Sequence, residues 1–451
     1  MRGRWTPSPE LERAAEYLAA RLGRAGLKPA GDSASFLQRL PLDMIQILPD
    51  SFAVWLTGHR PLRLVQRVDY MASFNTWSNW NASGQAVVVH GPLGAPAAFD
   101  TVSLAGRVLL LPGGWGNHYR RIANWKPAAI VWLDDVPAPP PGASLRGLPR
   151  PTRRAVGDTM PVVLVAYAAL APLLLEAKLD TARLRRPPDS VLRATPLGDA
   201  VMHVRGRVQH LPHIDPANVI AILEGSDPVL RNEYVVYTAH YDHLGVGPPV
   251  NGDSIRNGAD DNASGTAALL AVAEAFARDD RRPRRSIIFV FVAAEEFLGL
   301  GASYFLDHPP VARSGMVANI NADMLGRNWT DTVVVVGLRD SDMGLHVDRV
   351  LADHPALGLT ATDSSTRPNE APNLEGWSDH SAFIGKGMPF LYFYSGMHSD
   401  YHRVTDSAEK IDFEKLSRIS RLMHRVGYAI ANADDRPKWN PASYRRLVEL
   451  R

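Results

Sequence analysis

Four apolar runs in the second half of the chain stop at, or just before, side chains able to hold a cation. Residues 233–239 run into His240, 286–294 into Glu295 and Glu296, 316–322 into Asp323, and 389–395 into a loop that carries His402. Strands apolar on both faces belong to a sheet covered by helices on each side. In an open α/β sheet the functional crevice lies beyond the carboxyl ends of the strands. Polar residues that are scattered along the chain, but all placed at strand ends, therefore converge in one crevice. A further carboxylate, Asp261, lies in Gly258-Ala-Asp-Asp-Asn-Ala-Ser-Gly265, just ahead of an Ala/Leu-rich segment.

From about residue 217 strand and helix alternate. Strands are expected at 219–222, 234–238 and 287–292, and helices at 266–277 and 413–430, with Ser264 available as a cap for the first. Near the N-terminus Ser8-Pro9-Glu10 is a helix start, followed at helical spacing by Leu11, Ala15, Leu18 and Leu22, with Gly26 as a stop. Between 61 and 195 the texture changes. Short β-type runs at 85–90, 107–111, 128–133 and 161–165 are separated by loops rich in Gly and Pro, the richest at 137–142. The expected architecture is α/β, with a mixed, mainly parallel central sheet flanked by helices and an inserted β-rich domain. The expected parts are an N-terminal helical piece at 1–60, the insert at 61–195 and the catalytic domain at 196–451.

Composition removes several classes of function. With 45% hydrophobic and 21% charged residues, the 451-residue chain reads as globular. A formal net charge of +2 gives no footing for a nucleic-acid partner, and the basic clusters at 183–186 and 281–285 read as solvated loops or helix ends. The absence of cysteine excludes thiolate nucleophiles and Cys-ligated zinc, so any metal must be held by imidazole and carboxylate. No membrane span is expected, because the longest apolar stretch, 162–175, is short and contains Pro172. No signal peptide is visible at the N-terminus.

The strand-end residues can supply a co-catalytic dizinc site, which needs a bridging carboxylate, further N/O ligands on each ion, and open positions for a water the ions acidify. The assignment is His240 and Asp323 on one Zn²⁺, Glu296 and His402 on the other, and Asp261 between them. Three carboxylates and a bridging hydroxide balance two Zn²⁺ ions. Adjacent acids ending a buried strand repel each other unless cations are near. One of the pair, Glu296, can ligate while Glu295 faces the water as general base and passes its proton to the leaving amine. Asp242, two residues beyond His240, is placed to accept the second imidazole N–H. Gly396 and short polar spacing favour a loop around His398, which is left out of the metal set, and His243, His308 and His380 read as surface or structural.

Thr238-Ala-His-Tyr-Asp242, Gly258-Ala-Asp-Asp-Asn-Ala-Ser-Gly265, Ala294-Glu-Glu296, Asn321-Ala-Asp323 and Tyr401-His402 together resemble, in order, the zinc-dependent exopeptidases that include bacterial secreted dizinc aminopeptidases and glutamate carboxypeptidases. The likeness spans about 218–430. It implies the same five metal ligands, Glu295 as base, Asp242 as support, and Tyr401 as a donor to the oxyanion. Ser378-Asp379-His380 resembles a family segment bordering the pocket. The middle module, with Arg107-Val-Leu-Leu-Leu-Pro-Gly and Met160-Pro-Val-Val-Leu-Val, is similar to protease-associated domains inserted in such enzymes. By this resemblance the chain is expected to be a secreted or periplasmic aminopeptidase acting on peptides or small proteins.

A carboxypeptidase or dipeptidase on the same scaffold is the nearest rival. Arg327 and Arg367 are its candidates for gripping a substrate carboxylate, without a motif behind either. A cyclising transferase with one zinc fits less well, because both histidines and all three acidic ligands are present. A receptor-like relative without activity should have lost ligands or the base, and this chain has kept every one.

Overall fold

The computed structural model describes residues 2–48, 51–66, 68–72, 79–91, 97–112, 119–134, 150–152, 160–185, 191–363 and 374–449. The loop at 137–142 and Arg367 lie outside them. The chain forms two compact units, one of Met1–Leu42 with His213–Leu450 and one of Asp43–Pro212.

In the first unit a nine-stranded sheet runs Lys28–Pro29, Ala217–Leu223, Ser286–Val292, Tyr234–His240, Met316–Ala322, Phe390–Tyr394, Thr332–Val336, Thr360–Thr362, and Leu37–Arg39 also pairs with Ala217–Leu223. The four strands from Ser286–Val292 to Phe390–Tyr394 are parallel, while Ala217–Leu223 and Thr332–Val336 join them antiparallel. The sheet is thus mixed as expected, with its parallel part at the centre.

Alternation along each central strand feeds two cores. Val235, Tyr237 and Ala239 pack with Ala268, Leu269, Val272 and Phe276 of the helix Gly265–Arg278 and with Leu422, Met423 and Val426 of Phe413–Asn432. Val236 packs on the other face with Phe305 of Leu300–Asp307 and Phe383 of His380–Ile384. Each fully buried Val, Leu, Met or Phe among them contributes about 1.5–3 kcal/mol. With both faces covered, the charged groups gather at the strand ends, and the polar side chains within the strands, Asn218, Thr238, Asn319 and Asn321, are buried and hydrogen-bonded.

The helix starts follow local chemistry. Ser8 Oγ accepts the Leu11 N–H at 3.1 Å ahead of Pro9–Arg24, and Asp412 Oδ1 accepts the Lys415 N–H at 2.9 Å ahead of Phe413–Asn432. At Gly265–Arg278 the expected cap is replaced. Asn262 Oδ1 takes the Gly265 N–H at 2.9 Å, while Ser264 Oγ turns back to donate to the Asp260 carbonyl. The helix Phe413–Asn432 presses so closely on the sheet that Gly427 has no room for a side chain. A Cβ on Gly427 would stand 1.6 Å from Tyr237 Oη, which donates to the Met423 carbonyl. Gly427→Ala is therefore expected to lower stability by about 1–3 kcal/mol or more through overpacking. Denaturant unfolding checks this, and an unchanged midpoint would contradict the packing argument.

The second unit holds an eight-stranded sheet, ordered Leu62–Arg63, Ala53–Thr57, Arg193–Gly206, Trp80–His90, Val108–Pro112, Ala129–Asp134, Val162–Ala166, Tyr70–Ala72. The expected β-type runs are its four adjacent parallel strands. One face packs Val88, Leu110, Val131 and Val163 against Leu170, Leu173 and Leu174 of the helix Tyr167–Glu176, and the other packs Val87, Leu109 and Ile130 with Ile122 and Trp125. Ala53–Thr57 and Arg193–Gly206 pair inside this sheet, so the unit reaches past 61–195 on both sides.

Candidate metal centre and active site

The four central parallel strands deliver their carboxyl ends to one place. His240 is the last residue of Tyr234–His240, Asp323 follows Met316–Ala322, and the short turn Glu295–Phe297 follows Ser286–Val292. Beyond Phe390–Tyr394 the chain loops through Tyr401 and His402, and the loop reading of His398 holds. Asp261 comes from the segment ahead of Gly265–Arg278. Ala294, Met324 and His402 adopt left-handed backbone with φ of 57°, 55° and 59°, each at or beside a candidate ligand or base. Strain of this kind is held only where the surroundings fix it, and it gathers at functional sites.

Asp261 divides the cluster. Its Oδ1 lies 3.4 Å from His240 Nε2, which is 3.4 Å from Asp323 Oδ1. Its Oδ2 lies 3.1 Å from His402 Nε2, which is 3.3 Å from Glu296 Oε2. Ligands about 2.0–2.2 Å from a tetrahedral zinc stand about 3.3–3.6 Å apart, close to these spacings. Neither Asp261 Oδ2 nor Asp323 Oδ1 accepts a hydrogen bond within the protein. Buried carboxylate oxygens without donors are costly unless a cation takes their place, so the donor set fits a pair of metal ions. Met324, Trp377, Tyr392 and Tyr401 complete the pocket wall, and the Tyr401 ring stacks on His402 at 3.7 Å between centroids.

The field within the cluster separates its acids. Burial opposes the Asp261 carboxylate, but His243, His240 and His402 outweigh it and hold the group well below the ordinary range. Burial and Asp261 likewise oppose ionisation of Glu296, yet His402 and His243 bring it to about 2. Burial also disfavours the His402 cation, while Glu296 and Asp261 raise its pKa to about 10. Glu295 goes the other way. Burial pushes it well above the usual carboxylate range, with Asp379, Glu296 and Asp323 adding repulsion against the pull of His240. Two neighbouring acids with opposed pKa values are suited to different tasks.

Asp242 departs in detail from its expected contact. His240 Nδ1 faces the Asp242 carbonyl at 3.3 Å and the carboxylate Oδ1 only at 3.6 Å. The carboxylate instead accepts the Glu295 N–H at 3.1 Å and the Thr6 hydroxyl at 3.3 Å. Of the two expectations for His243, surface or structural, the structure removes the first. His243 is fully buried, with Nδ1 2.7 Å from Glu296 Oε1. His380 is structural, bonded to the Leu374 carbonyl and stacked on Phe390 and Tyr392. His398 pairs with Asp260 at 3.2 Å.

Three supporting residues carry no local motif. Asp406 accepts the Asp260 and Asp261 N–H groups at 3.0 and 3.1 Å and so fixes the backbone of the shared carboxylate. Arg4, buried, donates to the carbonyls of Tyr241, Asn257 and Gly258 at 2.7–2.9 Å and ties two ligand-bearing loops together. Asp379 is buried beside His240 and Asp323, and burial pushes it up to about 8. Only Asp379 stood within a segment noticed in the sequence.

Residues 218–427 match the model of peptidase family M28. Leupeptin-inactivating enzyme 1 of Streptomyces exfoliatus is 26% identical over 219 residues, 48% of this chain and 44% of that protein. Aminopeptidase YwaD of Bacillus subtilis is 26% identical over 232 residues, 49% of this chain and 46% of that protein. The chain spans about half the length of the curated relatives it matches. Among solved structures, the aminopeptidase from Aneurinibacillus sp. strain AM-1 has the same fold, with a TM-score of 0.58 over 94% of this chain and 90% of that one at 18% identity. The segment that resembles peptidase family M28 is thus residues 218–427, and it holds His240, Asp261, Glu295, Glu296, Asp323 and His402.

Proposed function

We propose that the protein is a metal-dependent exopeptidase, an aminopeptidase that removes N-terminal residues from peptides or small proteins with two zinc ions per chain. The observation that carries this reading is the division of Asp261, whose two oxygens face separate imidazole–carboxylate pairs. His240, Asp323 and Asp261 would hold one ion and Glu296, His402 and Asp261 the other. When bound, the ions supply an acidified water and polarise the scissile carbonyl.

The protein's own groups do the rest. Glu295 takes a proton from the attacking water and delivers it to the departing amine, a role suited to a carboxyl whose proton affinity burial and its acidic neighbours raise. Asp242 fixes the Glu295 backbone through its N–H. Tyr401 lines the pocket beside His402 and would donate to the developing oxyanion. The names of the relatives support the class of substrate, since the Bacillus subtilis protein is itself named an aminopeptidase.

An aminopeptidase must bind an ammonium near the site, and Glu295 and Asp323 supply acidic partners for it. Arg327 donates through Nη2 to Asp400 at 2.7 Å, in the loop that carries Tyr401 and His402, while its Nη1 is buried without a partner, so the substrate's ends decide between the two readings. As an aminopeptidase substrate, Leu-p-nitroanilide should be cleaved by the zinc-loaded protein. Its N-acetyl form leaves a buried acid unpaired, at about 1–3 kcal/mol, and should react about 5- to 150-fold more slowly. Preference for acetylated peptides with a free C-terminus would instead establish the carboxypeptidase. Elemental analysis of purified protein tests the ions directly, and a content of one zinc per chain would refute the pair.

The unit Asp43–Pro212 contributes none of the proposed ligands, and we assign it as a protease-associated domain governing access of long peptides. Substitutions there should alter length preference and spare Leu-p-nitroanilide turnover; loss of both would show a part in the chemistry. A secreted or periplasmic location accompanies this reading, and cell fractionation with recovery only in the cytoplasm would remove it. Among the described residues no helix is long and apolar enough to cross a membrane.

A further inference from the structure

The proposed centre leaves one buried imidazole without a task. His243 lies three residues beyond His240, with Nδ1 2.7 Å from Glu296 Oε1 and 3.7 Å from Asp261 Oδ2. The other oxygen of Glu296, Oε2, is the one beside His402 Nε2. Each oxygen of this carboxylate thus has its own imidazole.

We propose that His243 is a positioning residue for the second ion: its Nδ1–H donates to Glu296 Oε1 and leaves Oε2 as the ligand atom beside His402 and Asp261. This rests on the two-ion reading and adds to it a residue that selects one oxygen of a ligand. Ligating carboxylates are commonly oriented by such outer hydrogen bonds.

His243 also forms a compact group with Asp261 and Glu296, so it has a rival role as a ligand itself. Two observations favour the donor. First, 2.7 Å is the length of a charge-assisted N–H···O bond, whereas two ligands of one tetrahedral ion stand about 3.3–3.6 Å apart. Second, Nε2 is buried without a partner. A ring ligating through Nδ1 would carry its proton on Nε2, where no acceptor receives it. A ring donating through Nδ1 leaves only a lone pair there. Hydrogen bonding thus assigns the tautomer.

The ring is also held in place. The His243 N–H donates to the Arg4 carbonyl at 3.1 Å, and the ring meets His402 edge to face at 5.7 Å. Across from it, a Cβ on Gly258 would stand 2.4 Å from His243 Cγ, so a residue without a side chain is needed there. Gly258 itself has φ of 58°, which suits glycine for a second reason.

The test is a Co²⁺ titration of the chelator-stripped protein, followed by visible absorption and calorimetry. It compares wild type with His243→Leu, His243→Asn and Glu296→Ala, each first checked by circular dichroism. Wild type should take two ions. His243→Leu should keep the tighter site and weaken the second by about 10- to 100-fold. His243→Asn, which keeps an N–H near the Nδ1 position, should recover most of that loss. If His243→Leu does not fold, His243→Ser replaces it with the same expectation. Second-ion affinity of His243→Leu within about threefold of wild type, below that range, would overturn the proposal. So would loss as complete as in Glu296→Ala with no recovery in His243→Asn, which would make His243 a ligand. A wild type that takes one ion would instead refute the two-ion reading beneath it, a result recognisable before any variant is examined.

Discussion

Glu295→Gln is expected to keep the fold and the metal content of the wild type while losing about 10²–10⁴ in turnover, the usual share of a general base. The substitution preserves shape and removes only the capacity to take a proton. Glu295 Oε2 is 3.8 Å from His240 Nε2, farther than any of the proposed ligand pairs, so no first bond to an ion is at stake. Its backbone N–H stays anchored on Asp242 because that contact does not involve the side chain. The measurement is kcat on Leu-p-nitroanilide alongside zinc content. Near wild-type turnover with both ions present would transfer the base to another group.

Asp261→Ala should be the most damaging single change to metal content. It strips a ligand atom from both proposed ions, where Glu296→Ala or His402→Ala strips one. Elemental analysis after dialysis should rank Asp261→Ala below the other two. Metal content equal to wild type would refute a bridging role, and a ranking above Glu296→Ala would place the carboxylate on one ion only.

The parts of this arrangement that could be read from the sequence are those with a period or a boundary. Apolar runs closing on His240, Glu295 and Asp323 mark central strands, since a strand covered on both faces tolerates ionisable groups best at its end. The structure gathers those residues with Asp261 and His402 in one pocket. Other features depend on what the chain does after a strand has stopped. The extended spacing from His240 to Asp242 predicted a carboxylate on the imidazole, but that carboxylate is taken by the Glu295 N–H and the Thr6 hydroxyl, which leaves the Asp242 carbonyl facing His240, and His243 lies against Glu296. The cap at Gly265 moved from Ser264 to Asn262 because Ser264 found a better partner in the Asp260 carbonyl. Arg4 and Asp406 reach their partners across long stretches of chain, and no spacing rule links them. The insert was placed too short because Ala53–Thr57 and much of Arg193–Gly206 lie outside the Gly- and Pro-rich texture that marked it.

The guanidinium of Arg4 has a consequence in time. It donates to the Gly258 carbonyl, 254 residues later in the chain. At a synthesis rate of about 5–20 residues per second, the arginine waits about 10–50 s for its partner to be made. Its charge must remain hydrated throughout, so this end of the chain cannot settle early. The unit Asp43–Pro212 is complete well before then and contains the pairings of its own sheet. Ribosomal order therefore favours the interior segment closing first, with the loops around His240 and Asp261 tied to the N-terminal residues among the late events of folding.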